Sequence, residues 1–513
     1  MRETFRQSMT WLHAYAGLLA GWVLFAVFLT GTTAYFRTEI TFWMQPELHR
    51  SVPGEQTAEL ALIKLNELAP DAPSWMIQLP NERSYSATLM WREGRQEGRQ
   101  GFKRVAMDAA TGEVITPRAT AGGDFLYRFH YGLYGLGHDA GHWVVSIFTM
   151  AMLVALVTGV IIHKRIFKDF FAFRTDASRV RGWLDVHVVA GVVSLPYHLM
   201  IALSGLVLSL FLLMPWGANL LFDGDSRKLM AQMVSQPSIK APKAATDETG
   251  LSPIGAVLAE AKQVWPLGAG FITVNNPNRP HATVELRPRV SEDLTAGGRN
   301  GERLVFSGVT GERIAHVEPE LSAGMKTYMV LNNLHRVHFA DTPLRWLFFL
   351  AGALCTAMAA TGLILWVAKR SRRQGERLHP GFWLVSKVNV AAIAGLMAAV
   401  AAFFWANRLL PATMQARADA EIGWFFGIWA LMLVYALARN AQKAWIEQTA
   451  IAAFLWTLLP FLNFLTTESH LGVTLSEGLW LIAAFDLTAL AVGLALCGGV
   501  YALIRAKRAK EGE

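Results

Sequence analysis

The chain has 513 residues, of which 53% are hydrophobic and only 17% are charged, and its net charge is +8. Globular proteins carry about 25% charged residues, so the deficit indicates that much of the chain faces lipid. The positive charge does not indicate nucleic-acid binding, because the basic residues cluster beside apolar segments, as cytoplasmic loops do. With only two cysteines, the chain has no disulfide framework.

Eight apolar segments are long enough to cross a bilayer, which takes about 20 helical residues. They cover residues 11–36, 141–163, 184–213, 343–368, 384–406, 421–438, 447–466 and 478–503. The first is preceded by basic residues, as a signal peptide would be, but its apolar run is too long and no A-x-A site follows. We therefore expect a retained anchor. With the N-terminus in the cytoplasm, all the basic clusters fall on the cytoplasmic side.

Two long segments, residues 37–138 and 214–342, then lie together outside, and each has the pattern of a small α+β domain. Each contains a helix-like run followed by strand-like stretches. Each closes on a Thr-Gly-Glu turn, at Gly112 and Gly311, where glycine suits a tight turn between strands. The helix-like runs are Thr57 to Leu68 and Ser252 to Val264.

The membrane segments on either side of these domains repeat one another. A Trp-Leu pair leads into His13 in the first span and into His187 in the third. In both spans a glycine follows four residues after the histidine, and a hydroxyl-glycine pair follows seventeen and eighteen after it. The second and fourth spans share Thr158-Gly159 and Thr361-Gly362, each fifteen residues after a tryptophan. The unit of helix, outer domain and helix therefore occurs twice, and both copies start inside, as in a parallel repeat.

Histidine in a membrane helix is costly and indicates a functional site. His13, His163 and His187 lie at the inner ends of the first three spans, and His130, His198 and His335 lie towards the outer side. On one continuous helix, His187 and His198 would share a face about 16 Å apart along the axis. That geometry suits two stacked cofactors, and neutral imidazole is a good axial ligand for haem iron. Zinc or copper would favour closely spaced histidines with carboxylates or thiolates, so haem is favoured.

Plainer structural roles are open for several polar residues. His13 and His187 could cap helix ends, His163 could be interfacial, and His130 and His335 could be loop residues. His142 aligns opposite Arg345, which favours a contact to substrate or to a haem propionate. Five arginines could pair with propionates or be interfacial: Arg128, Arg336 and Arg345 outside, and Arg165 and Arg181 inside. Asp486 lies mid-span with no obvious partner in the sequence. An acid in this position could serve as a proton relay or a quinone contact, or it could make a helix-packing contact.

Over about residues 8–372 the chain resembles the PepSY-associated transmembrane family, iron-regulated inner-membrane proteins that include siderophore reductases. The resemblance rests on LHAYAGLLAGW, LVTGVIIHKRIFKDFFAFR, WLDVHVVAGVVSLPYHLMIALSGL and FLAGALCTAMAATGLILWVAKR. The outer segments resemble PepSY domains, which places them in the periplasm of a bacterium, with both termini in the cytoplasm. Four C-terminal helices, residues 384–503, are extra to the shortest family members.

The resemblance implies a haem b protein, with two haems expected, that reduces a ferric siderophore at the outer face. It implies that His13, His187, His198, His130 and His335 are haem ligands. We expect an inner haem near His13 and His187 and an outer haem near His198 and His335. No GxGxxG motif occurs in a cytoplasmic segment, so quinol or a separate reductase is the expected electron donor. Two alternative functions stay open. The first is a PepSY-type protein that binds peptides or regulates a peptidase and has no redox activity, and the second is an iron-chelate transporter.

Overall fold

The computed structural model describes residues 4–93, 101–163, 179–214, 216–225, 228–229, 233–235, 250–289, 293–295, 301–371 and 379–511. The chain forms two compact units. We call one the helical unit, which contains Met1–Met44, Ala119–Leu213 and Asp341–Glu513. The other is the sheet unit, which contains Gln45–Arg118 and Met214–Ala340. Each unit therefore draws on both copies of the sequence repeat.

Helices make up most of the described chain. In order they are α1 (Phe5–Ala34), α2 (Arg37–Trp43), α3 (Thr57–Leu68), α4 (Gly122–Gly132), α5 (His138–Ile162), α6 (Arg179–Val193), α7 (Leu195–Leu208), α8 (Leu210–Leu213), α9 (Trp216–Phe222), α10 (Ile254–Val264), α11 (Ala323–Arg336), α12 (Thr342–Ser371), α13 (Pro380–Val390), α14 (Leu396–Leu409), α15 (Arg417–Ala438), α16 (Ala441–Thr466), α17 (Leu471–Ser476) and α18 (Trp480–Glu511). A 3-10 turn covers Pro46–Leu48, and a π turn at Ala391–Gly395 joins α13 to α14.

The predicted membrane architecture is confirmed. Within the described ranges, seven helical spans are long and apolar enough to cross a bilayer, and the bent pair α6 and α7 supplies an eighth. The span formed by α13, the π turn and α14 is 78% buried, far more than any other. It is therefore the centre of the C-terminal bundle, Pro380–Glu511, and the helices around it expose their apolar side chains as lipid-facing helices do.

The third span is not the continuous helix that the sequence spacing assumed. Its two halves, α6 and α7, are bent by 65° where they meet. Pro196 lies in the first turn of α7, where its ring and missing N–H prevent α6 from continuing. The expectation that His187 and His198 share one helical face about 16 Å apart is therefore wrong, because they lie on different helices.

The sheet unit joins strands from both outer segments. Its strands are β1 (Ser74–Gln78), β2 (Ala87–Arg92), β3 (Phe102–Met107), β4 (Val114–Ile115), β5 (Val234–Ser235), β6 (Ala269–Asn275), β7 (Thr283–Pro288), β8 (Arg303–Ser307), β9 (Arg313–Val317) and β10 (Glu320–Leu321). As far as the chain is described, eight of them form one antiparallel sheet in the order β4-β3-β2-β1-β6-β7-β8-β9, and β5 pairs with β10. The halves meet where Ile77 on β1 pairs with Ile272 on β6.

Alternating side chains explain how the sheet unit is covered. Ile77, Leu89, Ile272 and Leu286 are fully buried, and they pack in one core that includes residues of helices α3 and α10. The two Thr-Gly-Glu turns have the same conformation, with positive φ at Gly112 (76°) and Gly311 (75°). Only glycine adopts this conformation without strain, so the repeated turn was a correct sequence signal.

Asp486 on α18 has partners within the helical unit that the sequence did not indicate. Its carboxylate accepts hydrogen bonds from Trp43 Nε1 (3.0 Å) and Asn463 Nδ2 (2.9 Å). The guanidinium of Arg408 stacks 3.7 Å from the Trp43 ring and donates to Asn463 Oδ1. Buried polar groups are normally satisfied in this way, so these contacts agree with the packing role.

A second buried polar cluster ties the C-terminal bundle to the start of α4. Arg417 and Glu421 form a 2.5 Å ion pair, and both side chains are fully buried. Glu421 also accepts hydrogen bonds from Thr120 Oγ1 (2.7 Å), the backbone N–H of Ala121 (2.9 Å) and Asn407 Nδ2 (2.7 Å). The buried charge is thus paired and hydrogen-bonded on several sides, which such a pair needs in order to be stable.

Candidate haem site

His13 on α1 and His187 on α6 come together, as the repeated frame predicts. Their ring centroids are 6.4 Å apart and their planes are inclined by 73°. Metal–imidazole bonds are about 2 Å long, so two imidazoles on opposite sides of one metal ion have centroids about 6 Å apart. The spacing therefore suits two axial ligands of a single metal ion.

Each of these histidines is held by the neighbouring helix of its own repeat. His13 Nδ1 lies 2.9 Å from the Ala155 carbonyl, and His187 Nδ1 lies 3.0 Å from the Met358 carbonyl. A carbonyl only accepts, so Nδ1 carries the proton in both rings and Nε2 keeps its lone pair. Metal-bound histidines are oriented by this kind of second hydrogen bond.

The threonine–glycine pairs of the repeat complete this arrangement. The hydroxyls of Thr158 and Thr361 lie 3.3 and 3.2 Å from the same Nδ1 atoms. A Cβ at Gly159 would lie 3.2 Å from Cε1 of His13, and one at Gly362 would lie 3.1 Å from Cε1 of His187. The glycines therefore leave room for the rings while the threonines orient them.

A cavity of about 260 Å³ lies between α1, α5, α6 and α12. Its lining contains His13, His187 and five glycines, Gly17, Gly21, Gly159, Gly191 and Gly362. Glycines allow a flat group to approach the helix backbones closely. Ligand pockets usually measure about 300–1,000 Å³, so a large ligand would need the cavity to widen. The unbranched side chains of Met152 and Met358, which also line it, can move to do so.

The donor set fits haem better than an isolated metal ion. Among the described residues, those that line the cavity include no carboxylate and no thiolate. Zinc in proteins takes three or four donors from cysteine, histidine or carboxylate side chains in close array, whereas haem iron needs only one or two axial imidazoles. Two opposed histidines with glycines around them meet that second requirement.

His198 is fully buried on α7, and its ring has the same proton arrangement. The Ser194 hydroxyl donates to the Ala190 carbonyl and lies 2.9 Å from His198 Nδ1, so it accepts the proton of that nitrogen. Nε2 of His198 is buried and has no hydrogen-bond partner among the described residues. A buried acceptor that makes no hydrogen bond costs free energy, so binding a ligand at this Nε2 would be favourable.

His130 on α4 reaches the same part of α1. Its Nδ1 lies 2.8 Å from the Val27 carbonyl, so its Nε2 also keeps a lone pair. The ring lies against Gly31, where any larger residue would collide with it. Burial lowers the pKa of His130, which keeps the ring neutral at pH 7, the form that binds iron.

These four histidines, His13, His130, His187 and His198, therefore occupy two levels along α1. His13 marks the first level, with His187 opposite. His130 bonds to Val27, and the His198 ring lies edge-on to Phe28 with centroids 5.5 Å apart. Since α1 is continuous from Phe5 to Ala34, fourteen residues separate these levels by about 21 Å. That separation spans most of a bilayer core.

A family profile described as the PepSY-associated TM region matches residues 10–369. The chain belongs to this family. A Pseudomonas aeruginosa protein described as uncharacterized is similar to it, with 24% identity over 309 residues, which cover 57% of this chain and 74% of that protein. The family match ends before α13, so the C-terminal bundle lies outside the PepSY-associated TM region.

Not every predicted ligand joins these two levels of the PepSY-associated TM region. His163, at the end of α5, lines the cavity beside the first level. His335 is half-buried on the last turn of α11 and belongs to the sheet unit, so its pairing with His198 stays a prediction. His142 stacks on Tyr131 at 4.9 Å.

The arginines considered for propionates have varied positions. Arg345 forms a buried 3.1 Å ion pair with Glu39, and Arg181 pairs with Asp185 at 3.2 Å. Arg128 and Arg336 are exposed, and Arg165 lies outside the described residues. Arg345 and Arg181 therefore already have carboxylate partners within the protein, the first in a buried pair and the second in a partly exposed one.

Sequence reasoning missed the residues that orient the histidines and the cations beside the cavity. The Thr158 and Thr361 alignment was visible, but it did not reveal a hydrogen bond to a ring in another helix. Ser194, four residues before His198, gave no separate signal. Lys369 and Arg370 line the cavity, although their sequence context indicated only a cytoplasmic loop.

Proposed function

We propose that this protein is a haem b-containing inner-membrane oxidoreductase that passes electrons across the membrane to reduce a ferric siderophore in the periplasm. The main support for the proposal is that the rings of His13 and His187 lie close together. Each ring is oriented by a hydrogen bond from its Nδ1 to a backbone carbonyl of the same repeat. When bound, haem would supply reversible one-electron transfer between ferric and ferrous iron.

The chain's own residues support two such sites. At the first level, His13 and His187 would hold the iron. At the second level, His198 offers a buried Nε2, and His130 contacts the adjoining residue of α1. We therefore assign His130 rather than His335 as the partner of His198 in the helical unit. Apolar side chains such as Leu24, Phe28 and Cys355 pack between the helices here and exclude water from the path.

The charge pattern supports a direction of electron flow. The basic residues beside His13 and His187, and those that end α18, favour a cytoplasmic position for the first level under the positive-inside rule. Electrons would enter there from quinol or a separate reductase. Ferrous iron binds the hard oxygen donors of siderophores much more weakly than ferric iron, so reduction at the periplasmic side would release it.

The first experiment is the absorption spectrum of the purified protein. We expect a Soret band and a reducible α-band, both strongly reduced in His13→Ala and His187→Ala. His281→Ala, which changes an exposed histidine of the sheet unit, is the matched control and should keep the full spectrum. A wild-type protein without these bands would reject the haem proposal.

The second experiment tests the reaction. Protein in liposomes, supplied with a quinol on one side, should convert a ferric hydroxamate or catecholate chelate on the other side into ferrous iron, detected by a ferrous-specific chromogenic chelator. The bend between α6 and α7 is a feature that transporters share. A transporter would carry labelled iron across the membrane without a change of oxidation state, and a peptide-binding protein would do neither.

A further inference from the structure

We propose that the end of the cavity formed by the last turns of α12 binds carboxylates, and that it receives the propionate groups of the haem held by His13 and His187. This inference rests on the proposed function, because it concerns how the same ligand is oriented. It assigns a role to Lys369, Arg370 and Trp366, and it changes the role of His163.

Two cations line this end of the cavity. The guanidinium of Arg370 stacks 4.0 Å from the Trp366 ring and donates to that residue's carbonyl, and no carboxylate of a described residue pairs with it. Lys369 also forms no ion pair with any residue that the structure describes, and it is next to Arg370 in the chain and lines the same cavity. Adjacent like charges repel, so an anion bound between them would be stabilised.

Trp366 provides an independent observation. Its indole Nε1 is buried, lines the same cavity, and has no hydrogen-bond partner among the described residues. Residues 366, 369 and 370 are three and four positions apart, so they lie on one side of α12. Among the described residues this N–H donor has no partner and the two cations beside it form no ion pair, so a carboxylate would satisfy all three.

The sequence repeat sharpens the assignment. With Thr158 aligned to Thr361, Trp366 corresponds to His163, and both residues line the cavity. Lys369 and Arg370 correspond to Ile166 and Phe167, so at these two positions only the second repeat carries positive charge. We therefore place His163 with the carboxylate-binding end rather than with the iron ligands.

A simpler role accounts for part of this pattern. Cations are stabilised at the C-terminal end of a helix, and basic residues flank membrane spans on the cytoplasmic side. These effects explain why Lys369 and Arg370 follow an apolar helix. They do not explain why both line the cavity, or why the buried indole N–H beside them has no partner in the part of the chain that the structure describes.

The test compares the binding of haem with that of its dimethyl ester, which has the same iron and ring but no carboxylates. Apoprotein in detergent is titrated with each, and the dissociation constants are measured from the Soret band. We expect the wild type to bind haem at least about tenfold more tightly than the ester, since charge-assisted hydrogen bonds are the strong ones. Lys369→Gln with Arg370→Gln should weaken haem binding to the level of the ester and leave ester binding unchanged.

The control is Arg505→Gln with Arg508→Gln, which removes the same charge from the exposed end of α18 and should keep the wild-type preference. Equal binding of haem and ester by the wild type would overturn this inference and leave the proposed function intact. Binding of neither would reject the proposed function itself. If the double variant fails to fold, Trp366→Phe serves instead and should reduce the preference for haem several-fold.

Discussion

Ser194 Oγ and His198 Nδ1 lie 2.9 Å apart at the bend between α6 and α7. The hydroxyl also bonds to the Ala190 carbonyl, so it bridges the end of α6 and the first turn of α7. The serine at the bend thus gives the ring proton of His198 a hydrogen-bond acceptor.

Ser194→Ala should therefore loosen the second histidine level. Loss of an orienting partner typically lowers metal affinity about 10–100-fold, so we expect part of the haem to be lost on dilution and the remaining spectrum to shift. Ser386→Ala removes a hydroxyl that bonds to a carbonyl four residues earlier in another span, and it should have no such effect. Equal spectra for both variants would contradict the proposed role of Ser194.

Valine at Gly159 or Gly362 should displace the ring that each glycine accommodates. A single Cβ already comes within 3.2 Å of a histidine ring at either site, and valine adds two methyl groups. We expect most of the haem at the first level to be lost, as measured by Soret absorbance per protein. Gly427→Val, at a position with open space around it, should retain the wild-type ratio.

His130→Ala and His335→Ala distinguish the two possible partners of His198. His130 contacts α1 beside the residue that the His198 ring touches, so His130→Ala should remove a spectral component that His13→Ala leaves. His335→Ala should leave both components in place. The opposite pattern in low-temperature absorption or electron paramagnetic resonance spectra would restore the pairing predicted from the sequence.

The buried Arg417–Glu421 pair should stabilise the C-terminal bundle only as a pair. Arg417→Met leaves an unpaired buried charge and should lower the free energy of unfolding by about 3–5 kcal/mol. Arg417→Met combined with Glu421→Met should recover much of that loss. Thermal unfolding in detergent measures both, and a double variant that is less stable than the single one would refute this account.

Asp486→Asn tests whether this carboxyl carries protons or only packs. An asparagine keeps one acceptor for Trp43 Nε1 but places an N–H group against Asn463, so stability should fall by about 1–3 kcal/mol. With a packing role, the rate of ferric chelate reduction in liposomes is expected to stay within about twofold of wild type. A selective loss of the rate at unchanged stability would favour the proton-relay role.

The sequence predicted what depends on local pattern and repetition. The spans, the Thr-Gly-Glu turns and the pairing of His13 with His187 follow from periodicity and from duplicated spacing, since equivalent residues of a repeat occupy equivalent positions. The position of His198 relative to His187 was predicted wrongly. A spacing of eleven residues puts two side chains on one face only when the helix is unbroken, and Pro196 breaks this one.

Contacts between residues distant in the sequence were beyond prediction. Trp43 and Asp486 are hydrogen-bonded although they are 443 positions apart, and no sequence motif around either residue indicates the other as its partner. Lys369 and Arg370 had the composition of any cytoplasmic flank, and only the packing of α1, α5 and α6 against α12 makes them part of a cavity. A single sequence does not encode such proximity in a readable form.

The pairing of β1 with β6 also bears on how this architecture could have arisen. These strands occupy equivalent places in the two repeats, and they pair antiparallel. A chain with one copy of the repeat would expose β1 as an edge, and exposed edges pair readily with other strands. Two such chains could join β1 to β1 across a two-fold axis, so two half-length copies have the strands needed to form the same eight-stranded sheet.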